Sequence, residues 1–345
     1  MTDISSIPIT VSGYRFDRVA GLGIEVPVPG FDVTYEPAAI GDMNTHVLVG
    51  PRTREVSEIG MLPYLLAVAN DDFGDYVLIP VFPLRLFRHK SIFVRVGAGI
   101  ERPEDLRGRR VGTSGYSSTS LTWIRGMLQH QYGVAPSDLH WVLSDEDSAI
   151  ELAGERSANE MVLPDGIDAS TGTPGKSESD LLVDGEVDVL FHAAEPEAYV
   201  RGDSRVARLF ADSRAAEQGY FQATGIFPIM HAVAVRCDVV ADHPDLPVAL
   251  TQSYAVAKHR ALQRLRAQGW AMISLPWLAQ EEEATRRLMG EDFWPYGIET
   301  NRTTLDTLLQ YAAEQGLTTR RLTIEELFHP STLDWVDHTP GPPRQ

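Results

Sequence analysis

A histidine stands near the start of a segment that otherwise predicts a buried β-strand, residues 227–236, written FPIMHAVAVR. Val233 and Val235 give this segment the alternating, β-branched pattern of a strand, and its proline is tolerated only near a strand's beginning. Histidine exchanges protons near neutral pH and acts as a general acid or base in many enzymes. His231 is therefore either a core histidine held by a backbone partner or a proton carrier in a catalytic site.

Arg88, His89 and Lys90 form a cationic triplet between two apolar runs, PLRLF and SIFV. An exposed charge cluster is one interpretation of this triplet. Exposure of all three side chains fits poorly with the apolar neighbours, however, and a guanidinium pairs well with a carboxylate through two parallel hydrogen bonds. Arg88 is therefore a candidate carboxylate-binding residue, and His89 is a second candidate proton carrier.

A Ser/Gly-rich turn lies between a predicted strand, 109–113, and a predicted helix, 119–131. Ser117 or Ser118 is placed to cap this helix. The unpaired N–H groups in the first turn of a helix attract negative charge, so Ser118 and Thr119 are candidate ligands of an anion. An ordinary capped helix without a ligand explains the same pattern.

Glu58 and the segment WPYGIETNRTTL, residues 294–305, offer further polar and aromatic groups. Glu58 ends a predicted strand, where α/β proteins place ligand groups, and it can accept a ligand's proton or orient a histidine. A charge at the start of a helix explains Glu58 equally well. Tyr296 can stack on an aromatic ligand, and Glu299 and Arg302 can make polar contacts, although capping of the next helix accounts for part of that motif.

The composition is that of a globular protein of 345 residues, 43% hydrophobic and 23% charged, which suits about two domains or lobes. The formal net charge of −18 argues against a general nucleic-acid or anionic-membrane surface, so an anionic ligand needs a locally basic pocket. The single cysteine, Cys237, cannot form an internal disulfide. The N-terminus lacks a secretory-signal pattern and no run approaches the ~20 apolar residues of a membrane span, so we expect a cytoplasmic protein.

Short strand-like runs alternate with amphipathic helical windows, which predicts an α/β protein with mainly parallel sheets. The predicted strands are residues 7–11, 31–35, 55–59, 77–82, 91–96, 109–113, 185–193 and 227–236. The predicted helices are residues 119–131, 246–266 and 304–315, with another beginning at about residue 62. The Gly-, Ser- and Asp-rich residues 165–179 predict a loop, and the tail from residue 338 is expected to fray.

Several segments together resemble the 4,5-dihydroxyphthalate decarboxylase family. They are FRHKSIFVR (87–95), PEDLRGRRVG (103–112), TWIRGMLQHQYGV (122–134), TGIFPIMHAVAVR (224–236) and DFWPYGIETNRTTL (292–305). PEDLRGRRVG recurs in many substrate-binding proteins, whereas FPIMH and WPYGIETNRTTL are more specific. The resemblance extends over residues 10–335 of the chain.

The resemblance implies a two-lobed α/β fold of the type II periplasmic-binding-protein kind, with the ligand in a cleft between the lobes. Residues 1–97 and 229–345 would form lobe I, and residues 98–228 would form lobe II. Two crossover strands, HKSIFVR and PIMHAVAVR, would join the lobes. A histidine on a crossover strand faces the ligand, so the resemblance favours a functional role for His231.

The resemblance also implies a carboxy-lyase that removes CO2 from a hydroxylated aromatic carboxylate such as 4,5-dihydroxyphthalate, by protonation of the ring carbon that bears the carboxylate. Arg88, Ser118 and Thr119 would bind the substrate's carboxylates. A small aromatic carboxylate is the implied partner, without nucleic acid or membrane, and a homo-oligomer is left open. No cofactor is implied. An alternative with a divalent metal, which no local ligand spacing supports, would use Glu58, His89, His192 and His231.

This chain departs from the family at two points near the expected cleft. The turn after RVG reads Thr113-Ser-Gly-Tyr-Ser-Ser-Thr119, without the acidic residue usual there, and FHAAEP places His192 where another residue is expected. His192 is therefore a candidate substrate-binding residue, and the substrate can differ from 4,5-dihydroxyphthalate. The alternative function is a non-catalytic solute-binding protein for a small aromatic or carboxylate anion. A desulfinase of this fold would need a cysteine in the cleft. We expect Cys237 at the outer end of its strand instead, so this function is disfavoured.

Overall fold

The protein is described by a computed structural model that covers residues 6–155, 157–271 and 273–339, so most of the tail expected to fray lies outside the described residues. Its strands are β1 (Ile7–Gly13), β2 (Phe31–Pro37), β3 (Val56–Gly60), β4 (Tyr76–Ile79), β5 (Ile92–Arg95), β6 (Arg110–Thr113), β7 (His140–Leu143), β8 (Ala169–Thr171), β9 (Val189–Phe191), β10 (Val206–Arg208) and β11 (His231–Arg236).

The α-helices are α1 (Ile40–Leu48), α2 (Met61–Asn70), α3 (Thr119–Tyr132), α4 (Ile150–Ala153), α5 (Glu178–Asp184), α6 (Glu197–Val200), α7 (Ser213–Thr224), α8 (Cys237–Asp242), α9 (Leu246–Arg266), α10 (Leu278–Met289), α11 (Arg302–Glu314) and α12 (Ile324–Leu327). Short 3₁₀ helices cover His89–Ser91, Pro103–Leu106, Pro136–Asp138, Ala158–Met161, Glu299–Asn301 and Pro330–Thr332. None of the helices in the described part of the chain is long and apolar enough to span a membrane.

The first sheet has the strand order β2-β1-β3-β11-β4. β1 is parallel to β2 and β3, whereas β11 is antiparallel to β3 and β4. Every residue of β3 is buried, as are the first five of β11. This pattern is expected for central strands that are covered on both faces, and it explains why the segment around His231 is so apolar.

The second sheet has the strand order β10-β5-β9-β6-β7-β8. β9, β6, β7 and β8 are mutually parallel, and β5 is antiparallel to β9 and β10. Each sheet therefore consists mainly of parallel strands with an antiparallel strand inserted where the chain has crossed from the other sheet. This is the two-lobed α/β arrangement that the sequence predicts.

The two crossings lie side by side and bond to each other through their backbones. Leu86 donates to the carbonyl of Pro228 (3.1 Å), and Met230 donates to the carbonyl of Leu84 (2.9 Å). The predicted crossover strands are displaced from these crossings, because β5 belongs entirely to the second sheet and β11 to the first. The first sheet accordingly ends with β4 before the first crossing, and the chain returns to it at β11 after the second. The lobe bounds, 1–97 with 229–345 and 98–228, stay predictions.

Local sequence signals account for the first and last residues of helix α3. Ser118 is its N-cap, and its hydroxyl accepts a hydrogen bond from the Leu121 N–H (3.3 Å). Gly133 ends the helix with φ of 65°, a conformation that glycine adopts without steric cost. The sequence missed β8, which lies in the predicted loop 165–179, because three residues at a sheet edge carry little periodicity.

Candidate active site

A cavity of about 530 Å³, called the cleft below, lies between the two sheets. Its walls come largely from the carboxyl ends of parallel strands: Tyr14 follows β1, Gly60 ends β3, Ser114 follows β6 and His192 follows β9. Such ends are the usual ligand sites of α/β folds. The volume suits a small organic ligand.

His231 and Glu58 form a buried hydrogen-bonded dyad beside the cleft. They lie on neighbouring strands, β11 and β3, and the Nδ1 of His231 donates to Oε1 of Glu58 at 2.5 Å. The second oxygen of Glu58 accepts from the backbone N–H of Tyr14 (3.1 Å). His231 lines the cleft while Glu58 lies behind it, and within the described residues no protein group bonds to Nε2 of His231. Nε2 is thus free to exchange a proton with a ligand, while the carboxylate orients and stabilises the imidazolium.

A glycine makes room for the carboxylate of this dyad. Gly13 ends β1, and a Cβ there would lie only 3.0 Å from Oε2 of Glu58 and closer still to the hydroxyl of Tyr35. The lack of a side chain at residue 13 therefore leaves space for the Glu58 carboxylate beside β1.

Arg88 and Lys90 place two cations in the cleft wall. Arg88 is 4% exposed, and its guanidinium donates to the carbonyl of Ala193 (2.6 Å) and to the sulfur of Met230 (3.0 Å). Burial lowers the pKa of Arg88 to about 9, partly offset by the charge of Glu217, so it stays protonated at neutral pH. Neither Arg88 nor Lys90 makes an ion pair with a carboxylate of the described chain. Because Arg88 also lines the cleft, it offers a buried positive charge with which a ligand's carboxylate can pair.

The first turns of α2 and α3 also contribute to the cleft wall. Ser118 and Thr119 line it as predicted, and the Thr119 hydroxyl accepts a hydrogen bond from the Leu62 N–H at the start of α2 (2.9 Å). Both helices thus present the positive ends of their dipoles to the cleft.

Carboxylates also line the cleft. Asp147, Glu155 and Glu160 lie on the chain that follows β7, and Glu195 follows β9. The cleft therefore offers both cations and carboxylates to a ligand, whereas the sequence predicts a locally basic pocket. Such a lining can pair with a ligand that carries both anions and hydroxyl donors.

His192 lies in a buried cluster with Asp147 and Glu178. Its Nε2 is 3.3 Å from Oδ1 of Asp147 and 3.4 Å from Oε1 of Glu178. Burial by itself lowers the pKa of His192, but the hydrogen bond to Asp147 and the charge of Glu178 outweigh burial and raise it. Burial likewise raises the pKa of Asp147, yet its bonds to His192 and Ser114 hold it well below the usual range. His192 thus lies within contact distance of two carboxylates.

His89 lies outside the cleft, contrary to its predicted catalytic role. It is 2% exposed, and its ring packs edge-on against Phe210 (5.1 Å between centroids) and Tyr220 (5.4 Å). Burial lowers the pKa of His89 to about 4, so it is neutral at physiological pH. The backbone forms a 3₁₀ turn at His89–Ser91. Arg88 and Lys90, the neighbours of His89, therefore reach the cleft, whereas His89 itself enters the core.

Tyr296, Glu299 and Arg302 also lie away from the cleft, contrary to the predicted substrate contacts. Tyr296 is buried in the core, whereas Glu299 and Arg302 form a surface ion pair at 3.2 Å. The motif has a structural role instead. Asn301 accepts a hydrogen bond from the buried Arg85 and donates to the carbonyl of Gly297 (2.8 Å), so it ties this turn to the chain that leads into the first crossing.

The structure does not assemble the metal-ligand set considered from the sequence. Glu58 and His231 pair with each other, His89 lies in the core, and His192 belongs to the separate cluster with Asp147 and Glu178. Cys237 begins α8 and is absent from the described lining of the cleft, so it has no place in a cysteine-dependent reaction there.

Sequence reasoning overlooked Lys90, Ser114, Asp147 and Glu178 as site residues. A usable signal existed for two of them, because Ser114 directly follows β6 and Asp147 follows β7, the strand beside it. Carboxyl ends of neighbouring parallel strands meet at one sheet edge, which makes such residues candidates. Glu178 carries no comparable signal, since it appears as an ordinary first-turn acid of α5.

Residues 86–159 match the family model described as NMT1/THI5 like. A 4,5-dihydroxyphthalate decarboxylase of Comamonas testosteroni is 35% identical over 336 residues, which is 96% of this chain and 99% of that protein. Another 4,5-dihydroxyphthalate decarboxylase, of Pseudomonas putida, is 29% identical over 169 residues, 49% of this chain and 64% of that protein.

Similar solved structures include two sulfonate-binding proteins. The periplasmic aliphatic sulphonate binding protein SsuA of Escherichia coli has a TM-score of 0.53 at 14% identity, covering 95% of this chain and 99% of that one. A sulfonate-binding SsuA of Methylobacillus flagellatus has a TM-score of 0.56 at 14% identity, covering 95% and 93%. At this identity the likeness concerns the fold alone, and it confirms the predicted two-lobed binding-protein-like class.

Proposed function

Because the chain belongs to the 4,5-dihydroxyphthalate decarboxylase family, we propose that it is a carboxy-lyase that releases CO2 from a hydroxylated aromatic carboxylate such as 4,5-dihydroxyphthalate. The observation that carries this proposal is the His231–Glu58 dyad, whose free Nε2 shares one cleft with the unpaired guanidinium of Arg88. A proton carrier beside a carboxylate-binding cation is the combination that decarboxylation by ring protonation requires.

Substrate binding follows from the charges of the cleft. Arg88, Lys90 and the first turn of α3 would hold the two carboxylates of a phthalate, with the Ser118 and Thr119 hydroxyls as further donors. The ring hydroxyls would then donate to carboxylates of the cleft such as Asp147. A carboxylate-bearing ring carbon would lie at His231, which lines the same cleft.

The chemical step moves one proton and breaks one carbon–carbon bond. Protonated His231 gives its Nε2 proton to the ring carbon that bears the carboxylate, while the para hydroxyl gives its own proton to solvent, so that a cyclohexadienone forms. The bond to the carboxylate then breaks, its electron pair restores the aromatic ring as a phenolate that regains a proton from solvent, and CO2 leaves. His231 is left neutral and regains a proton from solvent, while Glu58 stabilises the charged imidazolium at the start of each cycle.

Turnover of a substrate panel tests the proposal. Purified protein is incubated with phthalate, 4,5-dihydroxyphthalate and mono- and dihydroxybenzoates, and CO2 release is measured together with ligand affinity. We expect CO2 from compounds with a hydroxyl para to a carboxylate and none from phthalate. Tight binding of several members without CO2 from any of them would instead indicate the solute-binding function that this fold also supports. The cytoplasmic location and a homo-oligomer stay predictions.

A further inference from the structure

We propose that Asp147, Glu178 and His192 form a binding site for a divalent first-row transition ion, such as Mn²⁺ or Zn²⁺, in the cleft wall. We further propose that this ion holds the adjacent hydroxyls of a catechol-type substrate, a part that rests on the function proposed above. Two carboxylate oxygens and one imidazole nitrogen are a donor set that suits these ions. Asp147 and His192 both line the cleft, so an ion between them is open to a ligand.

The spacing of the three side chains fits metal ligands better than a hydrogen-bonded ion pair. A charge-assisted N–H···O bond spans about 2.7–2.9 Å, yet Nε2 of His192 lies 3.3 Å from Asp147 and 3.4 Å from Glu178. Two atoms bound to one tetrahedral ion at about 2.05 Å are separated by about 3.3 Å. Other histidine–carboxylate pairs of this chain are closer, at 2.5 Å for His231, 2.7 Å for His130 and 2.9 Å for His259. The cluster at His192 is therefore spaced as if around an ion.

The surroundings of the three ligands supply the second layer of hydrogen bonds that metal sites use to orient their ligands. Nδ1 of His192 lies 3.1 Å from the carbonyl oxygen of Ala194 and 3.2 Å from the backbone nitrogen of Ala194. An ion bound to Nε2 would leave the ring proton on Nδ1, which would then donate to the carbonyl. Ser114 donates to the far oxygen of Asp147 (2.6 Å), and the hydroxyl of Ser148 donates to Oε1 of Glu178, the oxygen that also faces His192. Each of the three ligands thus has a hydrogen-bonding partner outside the cluster.

Burial makes the charge of this cluster costly without a cation. Glu178 has a fully buried side chain and His192 is 4% exposed. In the described structure no lysine or arginine pairs with Asp147 or Glu178, and His192 is the basic side chain that contacts both carboxylates. A divalent ion would compensate both negative charges, which are expensive to bury unpaired.

In a second cluster of the protein, a lysine compensates the charge of the carboxylates. His259, Asp292 and Asp337 also come close enough to hold an ion. There, however, the buried Lys258 places its ammonium 2.5 Å from Asp292 and 3.0 Å from Asp337. A lysine therefore already supplies the cation in that cluster, whereas the cluster at His192 has no such group among the described residues.

An ion at this position would assist the proposed reaction by binding the ring hydroxyls. Coordination lowers the pKa of a bound hydroxyl, as it does for bound water, and favours the phenolate. The phenolate para to the departing carboxylate would donate electron density to the carbon that His231 protonates, and the hydroxyl proton would pass to solvent. Such an ion would thus select dihydroxylated rings.

Direct measurement of metal binding tests the site without relying on activity. The full chain is stripped with EDTA, dialysed, and titrated separately with Mn²⁺ and Zn²⁺, with the bound ion counted by elemental analysis. We expect about one equivalent per chain and a loss of affinity of about 100-fold or more in His192→Gln and Glu178→Gln. Ser148→Ala keeps all three ligands and is expected to lose about 10- to 100-fold. His259→Gln is the matched control and should bind like the wild type, with folding of each variant verified by melting temperature.

The outcomes separate this inference from the proposed function. Failure of the wild type to bind either ion, or unchanged binding by His192→Gln, would overturn the site. Undiminished CO2 release by the stripped protein would overturn the ion's catalytic part and leave the decarboxylase proposal intact. Stoichiometric binding that His192→Gln abolishes, with no CO2 from any hydroxylated carboxylate, would support the site and contradict the decarboxylase.

Discussion

Replacement of His231 by glutamine tests the central element of the proposed mechanism. Glutamine has a similar volume, and its side-chain amide can still donate to Glu58 in place of Nδ1, but it cannot carry a proton to the ring. Loss of a general acid lowers turnover by about 10²–10⁴-fold, equivalent to about 2.7–5.4 kcal/mol of transition-state stabilisation. Substrate affinity should change much less, because the carboxylates are bound by Arg88 and Lys90.

The structure also sets the expected cost to stability. His231 makes one side-chain hydrogen bond in the described chain, to Glu58, whose side chain is 2% exposed. Weakening a buried charge-assisted bond costs about 1–3 kcal/mol, which lowers the melting temperature by a few degrees in a chain of this size. The variant should therefore remain folded in the assay.

The assay measures kcat, KM and melting temperature on one preparation, with His89→Gln as the matched control. His89 is a buried histidine outside the cleft, so its replacement should lower the melting temperature while leaving turnover per folded molecule within about twofold. Full turnover in a destabilised His231→Gln would refute the proton-donor role and return His231 to the core-histidine interpretation.

Three further predictions concern neighbouring groups. Arg88→Met removes the unpaired guanidinium and should raise the Kd of an aromatic dicarboxylate by about 10- to 100-fold, as measured by calorimetry; unchanged affinity would exclude Arg88 as a carboxylate ligand. Glu58→Gln should lower kcat by about 10- to 100-fold with little change in KM, because the imidazolium of His231 loses its anionic partner; a change in KM alone would contradict the dyad. Burial lowers the pKa of His89 to about 4, so from pH 6.5 downward the unfolded chain binds a proton that the folded chain does not. Denaturant titrations at pH 7 and pH 4 measure this difference. Between these pH values the free energy of unfolding should fall by up to about 3 kcal/mol more in the wild type than in His89→Gln. An equal fall in both proteins would show that His89 does not make this contribution.

Much of the architecture could be predicted from local patterns. Helix α9 has the predicted bounds, Leu246–Arg266, and α3 differs from its prediction by one residue, because capping groups and periodicity lie within a few positions along the chain. The sheet to which a strand belongs has no such local signal. β5 reads as a strand from its sequence, but its membership of the second sheet depends on pairing with β9, almost 100 residues later, which no local pattern encodes.

In the candidate site, too, some features follow from the sequence and others only from the tertiary structure. The sequence by itself determined that His231 is a histidine in an apolar strand and that Arg88 is a cation beside apolar segments, and both features mark the cleft. Only the tertiary structure decided that Glu58, 173 positions before His231, is its partner, and that Lys90 reaches the cleft while His89 enters the core. Residue type and spacing report on the local cost of burying a group. The direction of a side chain and its distant partner depend on how the two sheets pack, because hydrogen bonds and charge pairs form between atoms that meet only after the chain has crossed twice.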